Sequence, residues 1–187
     1  MSGHSDDGSN SILKIALNLT VACFVSGLII SGVYALTADA AAEKVILLRN
    51  EAMRVLVADA EDFTPWEENE NIFIAEKAGE AIAFIVPSEQ PGYEGVMQVL
   101  VAIATDGSVI DYTVTAHKET PGLGDKVNTD NFRSQFAGKT YDDLIVVKDP
   151  TKTDNIIALT GATISSTAVT NAVKKALVEA EHLIGGK

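Results

Sequence analysis

Cysteine is nearly absent: Cys23 is the only one in 187 residues. A lone cysteine closes no intrachain disulfide, and alone it builds neither a thiolate metal site nor an iron–sulfur cluster. The three histidines, His4, His117 and His182, are scattered without metal-ligand spacing, so no metal site is expected. Basic residues are scarce, with 14 Lys plus Arg against 26 Asp plus Glu and a net charge of -12. Phosphate-backbone contact needs clustered Lys and Arg, so the balance argues against nucleic acid as a partner. Aromatic residues make up only 6%, which removes base stacking as a theme. What the chain does have is apolar residue, 47% of it. That suffices for a core, argues against disorder, and at this length allows one ordinary domain with an appendage.

The apolar residues are unevenly spread. From Ile15 to Leu36 there is no charge: IALNLTVACFVSGLIISGVYAL. A helix of this run spans ~33 Å, enough to cross a hydrocarbon core. A cleavable signal peptide is the competing reading, and Ala38-Asp39-Ala40 does look like a cleavage site. Such a peptide wants a basic leader and a shorter core, however, and this leader sets Asp6 and Asp7 against Lys14. A lipoprotein signal is rejected because Cys23 sits in the middle of the run. A retained single-pass anchor is therefore expected. Lys14 precedes the span while Asp39 and Glu43 follow it, which puts the N-terminus in the cytoplasm and the rest outside.

After the span, residues 40–60 read as a helix, with Val45, Leu48, Ala52, Val55 and Leu56 at helical spacing. DAEDFTPWEENE then reads as a solvated acidic turn; it lacks the ligand spacing and turn Gly of a calcium loop. Strands are predicted at 71–77, 81–86, 96–104 and 108–116, with turns at Ala78-Gly79-Glu80 and Thr105-Asp106-Gly107. A short helix at 130–136 ends at Gly138, and short strands follow at 144–148 and 156–159. A final helix runs from about Ser166 to Ile184, stopped by Gly185. Strands arriving as hairpins with helices around them predict an α+β fold: a mostly antiparallel sheet flanked by helices, preceded by one N-terminal transmembrane helix.

Two loops carry chemistry. TGATISS, Thr160 to Ser166, lies between a short strand and the last helix. Gly161 and Ala162 remove bulk, several hydroxyls follow, and the helix offers free N–H groups and the positive end of its dipole. That suits a phosphate, but Ser and Thr at a helix start equally serve as N-caps. HKETPGLGDK, His117 to Lys126, is shaped by Pro121, Gly122 and Gly124. Read alone it is a turn with a solvated acid, Glu119, and Gly-Leu-Gly is no dinucleotide fingerprint.

With GYEGVMQVLVAIATDGSVI upstream, these motifs resemble the FMN-binding domain family, most closely its G subunits of Rnf ion-translocating ferredoxin:NAD oxidoreductase complexes. The C subunits of sodium-translocating NADH:quinone reductases are the cousin branch. The resemblance implies FMN as cofactor, joined through its phosphate to Thr163 by a dedicated flavin transferase. It implies cofactor contacts from Thr160, Gly161, Ala162, Ile164, Ser165 and Ser166, and from Glu119, Thr120, Gly122, Leu123 and Gly124. The family's usual Asp three residues before the first Ser/Thr is Ile157 here, and the nearest Asp is Asp154. The implied organisation is a cytoplasmic tail (1–14), a transmembrane helix (15–36), a connecting helix (37–62) and an FMN-binding domain (63–187).

The function so implied is electron transfer within a membrane redox complex of several subunits. No residue here is expected to be catalytic by itself. The chain has no Rossmann fingerprint and no cluster ligands, so partner subunits must supply the rest of the reaction and the ion path. Two alternatives remain: a flavin carrier serving a quinone or extracellular acceptor, and a non-redox anchored binding module. Setting the first 38 residues aside leaves 24 acids and 13 bases, so nearly all the negative charge belongs to the domain beyond the span.

Overall fold

The computed structural model describes residues 6–184; His4, and Gly185 as the expected helix stop, lie outside the described residues. The chain divides into two units, one ending at Leu48 and the other beginning at Arg49. One helix, α1 (Asp6–Leu56), supplies the first unit and the opening turns of the second.

In the first unit, large apolar side chains from Ile12 to Leu36 are exposed on every side of the helix. A helix that is apolar all round belongs in an apolar surrounding. Its polar side chains are partly satisfied internally. The Thr20 hydroxyl donates to the Ala16 carbonyl at 2.9 Å, and Thr37 to the Val33 carbonyl at 2.8 Å. Such back-bonding is how hydroxyls persist where no water reaches them. The helix is long and apolar enough to cross a membrane.

The second unit is built on a five-stranded antiparallel sheet in simple meander order: β1 (Asp62–Trp66), β2 (Asn69–Lys77), β3 (Glu80–Pro91), β4 (Val96–Ala104) and β5 (Val109–Ala116). The acidic stretch expected as a solvated turn contains β1. Phe63 packs toward one face of the sheet and Trp66 toward the other, and this burial outweighs the acidic neighbours. Pro65 is tolerated because β1 is an edge strand. The β2–β3 turn places Ala78 at φ 52° and Gly79 at φ 79°, the left-handed pair that a tight two-residue hairpin takes.

The sheet is covered on both faces. Met97, Val99, Val101 and Ile103 of β4 point toward α3 (Thr163–Ile184), while Leu100 and Ala102 point toward Met53, Leu56 and Val57 at the end of α1. Burial on both sides explains why β4 reads as a nearly unbroken apolar run. α3 lays Val169, Ala172, Val173, Ala176, Leu177 and Ala180 on the sheet, its alanines allowing close approach. It begins at Thr163, three residues earlier than the sequence suggests.

Between β5 and α3 the chain is mostly irregular. The expected helix at 130–136 shrinks to α2 (Asp130–Arg133), preceded by a 3-10 turn at Gly124–Asn128. The two short strands appear as β6 (Val146–Val147) and β7 (Ile156–Ile157), paired parallel. Arg133 binds the Asp111 carboxylate of β5, its Nε at 3.1 Å, and that bond holds the guanidinium pKa up. The buried Tyr112 hydroxyl donates to the Val127 carbonyl, burial pushes its pKa far up, and its ring meets Phe136 edge-on at 4.8 Å.

The outer edge of β5 is occupied. The Asn128 side-chain oxygen accepts the Val114 N–H at 2.9 Å, Asp111 accepts that of Tyr112 at 2.7 Å, and the Lys139 carbonyl accepts that of Val109 at 2.9 Å.

The cover supplied by α1 gives a stability prediction. Leu56 is buried against the sheet, so Leu56→Ala lowers the unfolding free energy by about 2–5 kcal/mol. Urea unfolding of the full chain in detergent, followed by the fluorescence of the single tryptophan, Trp66, measures this.

Candidate functional site

The loops at 117–126 and 160–166 are far apart in sequence but line one open cavity of about 520 Å³. Glu119, Thr120, Leu123 and Gly124 form one wall, and Gly161, Ala162, Thr163, Ile164 and Ser165 the other. Tyr93, in the turn between β3 and β4, completes the rim. The volume lies within the roughly 300–1,000 Å³ usual for small-molecule sites. Three apolar or aromatic side chains at its mouth, Tyr93, Leu123 and Ile164, stay exposed.

Glu119 ties the walls together. It is not a solvated loop acid: only 4% of it is exposed. One carboxylate oxygen accepts the backbone N–H groups of Tyr93 at 2.8 Å and Glu94 at 3.3 Å, while the other accepts the Ser165 hydroxyl. Three segments therefore converge on one side chain. The slot that admits it is made by two glycines. A Cβ on Gly124 would lie 2.7 Å from the carboxylate and 2.7 Å from the Ser165 hydroxyl oxygen, and one on Gly92 would overlap the carboxylate outright. Rim contacts continue outward, where the Thr120 hydroxyl donates to Glu94 at 2.7 Å.

The other wall is shaped by a turn and a helix start. The Ala162 N–H reaches back to the Leu159 carbonyl at 3.0 Å, with Gly161 at φ 81° in the position where a type II turn requires a positive φ. α3 then begins, and its first helical bond runs from the Ser166 N–H to the Ala162 carbonyl at 2.9 Å. The amides of residues 163–165 precede that bond and have no intrahelical acceptor.

The hydroxyls of this corner divide sharply. Ser165 donates to Glu119. The Ser166 hydroxyl donates to the Ala162 carbonyl at 2.9 Å and accepts the Leu159 N–H at 3.1 Å. Thr167 donates to the Thr163 carbonyl and Thr170 to the Ser166 carbonyl. Among the described residues the Thr163 hydroxyl has no hydrogen-bond partner, and Thr163 lines the cavity. Thr160 is also without a side-chain partner among the described residues, but it is exposed and outside the cavity lining.

Of the residues expected at the site, Thr160, Gly122 and Ser166 therefore lie outside the cavity lining. Ser166 is fully buried and serves the turn, while Gly122 faces open space at φ 79°. Ile157 lies in β7, its N–H bound by the Gln135 side chain at 2.8 Å. Tyr93 was missed by sequence reasoning; an aromatic residue between Gly92 and Gly95 was the available signal.

Residues 92–178 match the family described as FMN-binding domain. The chain is 47% identical, over 97% of its length and 98% of the relative's, to the G subunit of the proton-translocating ferredoxin:NAD(+) oxidoreductase complex of Clostridium ljungdahlii. It is 30% identical over 90% of its length to the G subunit of the ion-translocating oxidoreductase complex of Methanosarcina acetivorans, covering 94% of that protein. Among solved structures it is similar in fold to the C subunit of the Na(+)-translocating NADH-quinone reductase of Parabacteroides distasonis. The TM-score there is 0.53 at 22% identity, over 62% of this chain and 63% of that one.

The glycine slot is testable without a ligand. Gly124→Ala drives the Glu119 carboxylate out of its seat and costs about 1–3 kcal/mol of stability. Hydrogen exchange at the Tyr93 and Glu94 amides accelerates in the same variant; unchanged protection there would show that the carboxylate stays in place.

Proposed function

The chain belongs to the G-subunit family of ion-translocating, Rnf-type ferredoxin:NAD oxidoreductase complexes, and on that premise we propose that it is a membrane-anchored electron carrier with FMN joined to Thr163 by a phosphoester. The observation that carries the attachment site is the uncommitted hydroxyl of Thr163. It belongs to the cavity wall, while its hydroxyl neighbours at the start of α3 are spent on protein partners. The site fits the group. Free amides at the helix start suit a phosphate, Gly161 and Ala162 let it approach, and the apolar rim suits a flat ring.

FMN, when bound, supplies a ring that takes up and gives back electrons, which no side chain here does. The chain's own residues do the remaining work. Thr163 holds the phosphate, the amides of residues 163–165 steady its charge, and Leu123, Ile164 and Tyr93 cover the ring and exclude water. A Thr hydroxyl is a poor nucleophile at its own pKa, so a flavin transferase is the expected maturation partner.

In this reading the other members of the complex supply ferredoxin oxidation, NAD reduction and the ion path. Residues 15–36 anchor the chain in the membrane, with residues 1–14 in the cytoplasm and the residues beyond the span, the flavin domain among them, outside the cytoplasm. The positive-inside tendency at Lys14 supports that orientation.

Two measurements test the proposal. Produced with a flavin transferase and denatured on a gel, the chain fluoresces and carries the mass of FMN. Thr163→Ala loses both, whereas Ser165→Ala and Thr167→Ala keep the fluorescence; a dark wild-type band overturns covalent attachment. A reporter active only in the cytoplasm stays silent when fused at residue 187, and its activity there would reverse the assigned topology.

A further inference from the structure

The cavity wall holds a carboxylate with unusual surroundings. Glu119 is 4% exposed, and its three hydrogen-bond partners are all donors: two backbone amides and a hydroxyl. Two of these are backbone N–H groups, which can only donate. Among the described residues no Lys, Arg or His cation pairs with it. The basic groups nearest in sequence are His117, whose Nδ1 accepts the Glu119 N–H at 3.2 Å, Lys118 and Lys126; all three are exposed, so water screens any charge they carry. The other acids of this loop region add to the imbalance. Glu94 accepts from Thr120 at the rim, and Asp125, next to Gly124, has one buried oxygen without a partner.

This burial is built into the sequence. Gly92 and Gly124 both lack the Cβ that would occupy the carboxylate's position. Dipolar N–H and O–H groups solvate the charge in place of water but do not neutralise it. Ionic groups are normally buried with a countercharge. Here a negative charge is held in the wall of the cavity that Thr163 also lines.

We propose that Glu119 is a fixed, uncompensated negative charge that lowers the reduction potential of the flavin bound in this cavity. The inference rests on the reading of the cavity as a flavin site. Each electron given to a flavin adds one negative charge unless a proton arrives with it. A nearby anion in a poorly screened site opposes that charge, so the oxidised form is favoured. Glu119 acts through space as a tuning residue, and its bonds to Tyr93, Glu94 and Ser165 keep its distance from the ring constant.

The test uses the full chain in detergent, flavinylated in the producing host, with flavin content measured first. Midpoint potentials are then determined by dye-equilibrated spectroscopic titration. Glu119→Gln keeps an oxygen for the Tyr93 and Glu94 amides and removes the charge. Its midpoint is expected to rise, so that at the wild-type midpoint the reduced-to-oxidised ratio increases about tenfold. Ser165→Ala leaves the charge but strips the hydroxyl that partly offsets its field, so its midpoint is expected to fall. A merely structural role gives no such pair of opposite shifts. If Glu119→Gln retains flavin and its midpoint is unchanged or lower, the inference is wrong. If Glu119→Gln fails to fold or load, Ser165→Ala decides alone: a fall supports the inference, and an unchanged or raised midpoint overturns it. A wild-type chain without flavin removes the cofactor reading beneath it, which the flavin measurement reports separately.

Discussion

The site depends on where α3 starts, and that is decided by how α3 lies on the sheet. Ala172, Ala176 and Ala180 repeat every fourth residue and bring the helix close to β3 and β4. Once that stripe is seated, the helix cannot slide or rotate without exposing Val169, Val173 and Leu177. Its first turn is then fixed in space, and so is Thr163. A residue in the wall of the cavity is thus placed by packing that extends well beyond its own turn.

The loop facing α3 is positioned by different forces. No apolar stripe anchors residues 117–126; the buried carboxylate of Glu119 does, through hydrogen bonds to the β3–β4 turn and to Ser165. The domain thus combines two kinds of order. Apolar contact sets the helix, and a polar knot in a glycine slot sets the loop. The knot is intolerant of change, since each buried donor or acceptor left unpaired costs about 1–3 kcal/mol.

Much of this was legible in the sequence. The hairpins declared themselves through Gly79 and Gly107, because left-handed turn positions favour glycine. The charge-free run declared the apolar helix, and alternation declared β5. β1 was hidden because the acids in and around it and Pro65 describe a surface turn, whereas its position rests on Phe63 and Trp66 meeting partners far along the chain. At the site, the two loops were visible as motifs. The sorting of their hydroxyls was not, since Ser165, Ser166 and Thr163 differ only in what surrounds them. Glu119 shows the same limit: nothing local distinguishes a solvated acid from one that two distant glycines make room for.

The edge of β5 sets a rule for company. Strand edges with free amides invite another chain to add a strand. Here Asn128, Asp111 and the Lys139 carbonyl already occupy the Val114, Tyr112 and Val109 amides, and Pro65 interrupts the opposite edge at β1. Association by sheet extension is closed at β5 and obstructed at β1. A neighbouring protein at the β5 edge therefore meets side chains and a loop, not free strand amides.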